Sequence, residues 1–168
     1  MDEKSGREPT AAERISERET MVTRSFAAPA RIVYAAWTQP ELLKRWWAPK
    51  SYGISFISCE ADVRIGGSYR FVFGQSCSDQ EMEFFGRYLE VVPDRRLVWT
   101  NEEGGENGAI TTVTFEERGN ETVVVMRELY PSKEALDEAI ASGSAGGICE
   151  TLEQLDEVLG SLIDLRRD

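Results

Sequence analysis

Histidine is absent from all 168 residues. Its absence removes Ser-His-Asp and Cys-His catalysis, His-ligated zinc or iron, and the usual proton shuttle near neutral pH. Cysteine is nearly as scarce: Cys59, Cys77 and Cys149 are odd in number, far apart and without a Cys-x-x-Cys pair. That is the pattern of reduced thiols that fill space, with no disulfide framework and no cysteine-rich metal site. No run approaches the eighteen or so apolar residues of a membrane span, and the start, MDEKSGREPT, lacks the basic-then-apolar order of a signal peptide. A cytoplasmic location without membrane attachment is therefore expected. Positive charge is also short, with 19 Lys and Arg against 30 Asp and Glu and a net charge of −11, so the general surface repels nucleic acid and anionic lipid. Neither is expected as a partner, and no cofactor or metal is implied.

What is present has clear periodicity. In Gly146–Leu165, Ile148, Leu152, Leu155, Leu159 and Leu162 recur at steps of four and three, which predicts a helix of about five turns with one apolar face. Glu150, Glu153, Glu157 and Asp164 occupy the opposite face. Residues 1–15 are charged and aperiodic and read as a tail, leaving one domain over 16–168. Ser16–Phe26 reads as a strand. Pro29 and Pro40 then each start a short helix, the second ending before Pro49. Six further strands follow, over Ile54–Val63, Ser68–Gly74, Met82–Val92, Arg96–Thr100, Ala109–Glu117 and Thr122–Leu129, divided by Gly-, Pro- and Asn-rich turns. Ser132 is an N-cap for a helix over Lys133–Ala141.

Short hairpin-like connections favour an antiparallel meander. The expected fold class is α+β: a strongly curved sheet of about seven strands wrapped around the C-terminal helix, with the two small helices at one end. A single helix does not fill so curved a face, which leaves room for a pocket.

Several segments point further. They are FAAPARIVYAAWTQPELLKRWWAP (Phe26–Pro49), DVRIGGSYRFVF (Asp62–Phe73), GRYLEVVPDRRLVWT (Gly86–Thr100), TVTFE (Thr112–Glu116) and YPSKEALDEAIASG (Tyr130–Gly143). In this order they resemble the proteins similar to the C-terminal domain of the activator of Hsp90 ATPase, within the START-like or SRPBCC superfamily of helix-grip ligand-binding domains. The resemblance spans about residues 16–165 and implies the helix-grip fold and a ligand cavity. Many relatives carry Trp or Met where this chain has Ile148, a smaller residue that either opens the pocket or reshapes the core. The eukaryotic co-chaperone also has an N-terminal Hsp90-binding domain for which this chain has no room, so Hsp90 is not the expected partner.

The candidate ligand contacts are Trp37, Trp46, Trp47, Tyr69, Phe71, Tyr88, Glu90, Trp99, Glu128 and Ile148. The aromatic residues suit a cavity for a lipophilic or aromatic small molecule, and they equally suit an ordinary core. If Tyr88 faces inward, alternation puts Glu90 beside it, and register decides whether Arg127 or Glu128 does the same. Such a carboxylate is either a polar anchor or general acid-base, or it sits at the solvent face or in a structural Arg–Glu pair; the solvent-face or ion-pair reading is favoured. Asp62 and Arg64 before Gly66-Gly67 read as a hairpin turn, and Glu102–Asn107 as an acidic hairpin, not a calcium loop. Three functions therefore stand: a small-molecule-binding protein first, an enzyme or detoxifying protein with a pocket carboxylate second, and a stress-related interaction module third. Exposed strand edges make a homodimer the expected form of any self-association.

Overall fold

A computed structural model describes residues 11–48, 53–75, 81–102, 108–142 and 148–167. Eight antiparallel strands form one curved sheet: β1 (Ala11–Arg14), β2 (Glu19–Phe26), β3 (Ile54–Ala61), β4 (Ser68–Gln75), β5 (Glu81–Val92), β6 (Arg96–Thr100), β7 (Ile110–Arg118) and β8 (Glu121–Leu129). Their order across the sheet is β1-β2-β8-β7-β6-β5-β4-β3. The last six strands thus meander, and the early strand β2 closes against the final one. Helices α1 (Ala30–Thr38) and α2 (Pro40–Trp46) follow β2, while α3 (Lys133–Ser142) and α4 (Ile148–Arg167) follow β8. The architecture is the expected α+β one with one strand more.

That extra strand corrects the expectation of a tail through residue 15. Ala11–Arg14 pairs with Thr20–Thr23 of β2. Nothing periodic marks it, because its order comes from its neighbours. The Arg14 guanidinium donates to the carbonyls of Ser16 and Glu17 and pairs with Asp137 of α3 at 2.8 Å.

The α4 stripe is buried as its spacing requires, through Leu152, Leu155, Val158 and Leu159, while Glu153 and Glu157 face solvent. It packs on α1, α2 and β2. The Arg24 guanidinium of β2 reaches Asp156 of α4 at 3.2 Å, tying helix to sheet. Helix starts are satisfied from outside the helices themselves. The backbone N–H of Ala30 donates to the Glu117 carboxylate of β7 at 2.9 Å, and that of Ala135 to the Ser132 hydroxyl at 3.0 Å.

Two bulges interrupt the ladders. Leu89 is an extra residue between the pairs Tyr88–Trp99 and Glu90–Val98, and Ile57 is another between Phe56–Phe73 and Ser58–Val72. An added residue shifts the period-two alternation by one step. Tyr88 is therefore inward, Leu89 and Glu90 are both outward, and Val91 turns back to the core. Upstream on β5, a Cβ on Gly86 would lie 2.0 Å from the Thr100 carbonyl oxygen, so glycine there permits the close approach of β6.

Candidate functional site

Between α1, α2 and the concave face of the sheet, seven side chains enclose a small cavity: Trp37, Leu43, Trp47, Tyr69, Phe71, Tyr88 and Trp99. The elements place them by simple rules. Trp37 projects from the buried face of α1, along with Val33 and Ala36. Tyr69 and Phe71 alternate inward on β4, and Tyr88 meets Trp99 directly across β5 and β6. Trp47 is the C-cap of α2 and is only half-buried, whereas the other six are buried.

The rings touch in a mixture of edge-to-face and tilted arrangements. Centroids lie 5.9 Å apart for Trp37–Trp47, 5.5 Å for Trp47–Phe71, 6.1 Å for Trp37–Trp99 and 5.8 Å for Tyr69–Tyr88. Such pairs add about 0.5–1.5 kcal/mol each beyond burial and make a stiff box. The space left is about 10 Å³, close to what one water molecule needs.

Two polar features mark the box. The Trp37 indole N–H is buried without an acceptor among the described residues. A buried donor left unpaired costs about 1–3 kcal/mol, so it is conspicuous in a cavity wall. Burial holds the Tyr88 hydroxyl well above the ordinary tyrosine pKa, so it stays a neutral donor. Next to the box, burial pushes the free Cys59 thiol up to about 11 and keeps it an unreactive thiol.

From Tyr69 a chain of hydrogen bonds leads away from the cavity. Its hydroxyl donates to the Thr100 carbonyl at 2.7 Å and contacts Asn101 Oδ1 at 3.3 Å. Asn101 Nδ2 donates to the buried Thr111 hydroxyl, which in turn donates to Glu128 Oε2 at 3.3 Å. The Tyr130 hydroxyl contacts Glu128 Oε1 at 3.3 Å. Burial first, and then the Glu128 charge, raise the Tyr130 pKa.

Six of the sequence candidates therefore meet in one box: Trp37, Trp47, Tyr69, Phe71, Tyr88 and Trp99. Trp46 sits behind it as a core strut, donating from Nε1 to the Ala36 carbonyl at 3.0 Å and so fixing α2 on α1. Glu90 is exposed on the outer face and paired with Arg96 at 2.8 Å, because the Leu89 bulge turns it away from Tyr88. Glu128 does lie on the inner face, after Val124 and Met126, but at the far end of the hydrogen-bond chain and not in the lining. The side chains of Ile148 and Cys149 lie outside the described residues, and so do Cys77 and the acidic segment 103–107. Among the described residues this cavity is lined from α1, α2 and the sheet, with no contribution from α4. Leu43 was missed, although its place three residues before Trp46 on a short helix carried the signal. Asp62 and Arg64 pair with each other at 2.9 Å in the turn where Gly66 has φ 85, as expected of a hairpin. No cluster of metal-ligating side chains occurs among the described residues, and none of their helices is long and apolar enough to cross a membrane.

The family model described as activator of Hsp90 ATPase homolog 1-like protein matches residues 27–160. The chain belongs to this family. Solved structures agree on the START-like fold of the activator of Hsp90 ATPase homolog 1-like family. A protein from Rhodobacter sphaeroides is 25% identical, with a TM-score of 0.82 over 91% of this chain and 99% of its own. One from Nitrosomonas europaea is 24% identical, with a TM-score of 0.80 over 90% and 99%. An AHSA1-like protein from Aeromonas hydrophila is 17% identical, with a TM-score of 0.68 over 84% and 93%. Among curated proteins none matches the chain.

Proposed function

We propose that this member of the activator of Hsp90 ATPase homolog 1-like family binds a small aromatic or otherwise lipophilic molecule in the box under α1 and α2. The supporting observation is the Trp37 indole N–H, buried in the wall of an aromatic cavity with no acceptor among the described residues. A ligand oxygen or nitrogen with a free lone pair would relieve that donor, while the rings supply apolar contact at little entropic cost. Among the described residues the lining carries no carboxylate, lysine or arginine, which favours an uncharged group inside and binding over acid-base catalysis.

A thermal-shift panel of naphthols, indoles, aromatic ketones and medium-chain fatty acids tests this reading. An acceptor-bearing aromatic at a hundred times its dissociation constant should stabilise the fold by about 2.7 kcal/mol. W37F should weaken that compound more than its acceptor-free hydrocarbon analogue. A flat panel, or equal loss for both analogues, would overturn the proposal.

A further inference from the structure

A cavity with room for one water admits a larger guest only if a wall moves, and the lining offers one wall suited to moving. Trp37, Leu43, Tyr69, Phe71, Tyr88 and Trp99 are buried in the interior. Trp47 is half-buried and caps the end of α2, where no further helical turn holds it. The backbone on both sides of it is fastened by one side chain from another element. Gln154 of α4, itself 7% exposed, donates from Nε2 to the carbonyl of Trp46 and to the carbonyl of Ala48, both at 2.9 Å.

This arrangement has a physical logic. The carbonyls at the end of a helix have no partner within it, and an amide NH2 carries two protons, one for each flanking carbonyl. Gln154 lies among Thr151, Leu152, Leu155 and Val158 on the buried side of α4, where an apolar residue would otherwise be expected. Its amide nitrogen meets the α2 terminus through both of these bonds.

Resting on the ligand-binding reading above, we propose that Gln154 is the positioning residue that latches Trp47 as the movable wall of the box. Entry of a guest then requires the two bonds to the Trp46 and Ala48 carbonyls to loosen, and the strength of this latch sets how fast the box opens. Gln154 touches the backbone around the wall, not the guest.

The full-length chain labelled with 5-fluorotryptophan provides the test, since its four tryptophans are separately assignable by replacing each with Phe. Q154M keeps the volume and removes both donors; Q154N keeps a donor on a shorter arm. A soluble gadolinium chelate reports which indole reaches solvent. In Q154M the Trp47 resonance should become more accessible than in the parent, with opening increased about tenfold as one to two net hydrogen bonds are lost, while Trp37, Trp46 and Trp99 stay protected. Q154N should lie between Q154M and the parent, and it carries the test if Q154M does not fold. The association rate of 1-naphthol should rise by a similar factor. Unchanged Trp47 exposure in the variants, or exposure of all four indoles together, would overturn the latch. If Trp47 alone opens and 1-naphthol binds neither protein, the latch stands and the ligand-binding reading falls; if 1-naphthol binds with Trp47 exposure and association rate unchanged, the reverse holds.

Discussion

Tyr88 and Glu90 are two residues apart on β5 and face opposite sides of the sheet. Tyr88 meets Trp99 inside, with ring centroids 6.4 Å apart, and Glu90 pairs with Arg96 outside. Leu89, the unpaired residue between them, is responsible. Y88A should therefore cost about 3–5 kcal/mol, as large-to-small changes at buried aromatics do, whereas E90Q should stay within about 0.5 kcal/mol. Deleting Leu89 removes the bulge and leaves Glu90 outward and Val91 inward in strict alternation, so it should cost less than Y88A. Urea midpoints of the three variants check the order.

Alkaline stability should fall earlier than the composition suggests. Cys59, Tyr34, Tyr88 and Tyr130 all have pKa values raised in the folded chain, burial being the first cause for each. A raised pKa means the unfolded chain loses its proton first. The stabilisation is complete below the unfolded values, near 9.0 for Cys59 and 10.0 for the tyrosines, and is lost as pH climbs through the folded ones. The melting temperature should be insensitive to these four groups up to about pH 8.5 and should drop progressively above pH 9. Y88F should flatten the part of that drop above pH 10. E128Q should lower the pKa of Tyr130 in the folded protein, read by tyrosinate absorbance, since the Glu128 charge is one of its causes.

G86A should be among the most damaging conservative changes in the sheet. The added methyl would lie 2.0 Å from the Thr100 carbonyl oxygen, an atom that also accepts the Tyr69 hydroxyl. Strand separation by such overpacking costs about 1–3 kcal/mol, and the Tyr69 bond is strained with it. G119A, where nothing lies within 4 Å but φ is +63, should cost less, about 1 kcal/mol, through backbone strain alone. Denaturant titration of the pair separates the two causes.

E117A should remove the only carboxylate seen at the α1 N-terminus among the described residues and cost about 0.5–2 kcal/mol. Because α1 carries Trp37, the variant should also increase amide exchange at Ile32 and Val33 more than in the sheet. Hydrogen exchange read by NMR checks this.

Much of this fold could be read in the chain because its strands and helices keep their period. Tyr69 and Phe71 share one face by alternation, and the stripe of α4 follows from its steps of three and four. Three features left no local mark. A single-residue bulge such as that at Leu89 has neither glycine nor proline to announce it. β1 is a strand because β2 offers an edge and α3 offers Asp137, both distant in sequence. Gln154 reads as one more polar residue on a helix until the end of α2 is brought against it. Adjacent tryptophans deceived for a related reason: at 100° per residue Trp46 and Trp47 cannot share a face, and only one of them reaches the box.

The hairpin of β1 and β2 bears on how the domain should be handled. Residues 11–14 cover the outer backbone edge of Thr20–Thr23, and Arg14 fastens them by its contact with Asp137. Trimming the chain to residue 15 would strip that cover and leave the outer donors and acceptors of Thr20–Thr23 unsatisfied, a ready template for pairing with another molecule. A purification tag cleaved inside this segment should turn a well-behaved preparation into one that self-associates, as light scattering would register, and four short residues would then account for the difference between a stored solution and a gel.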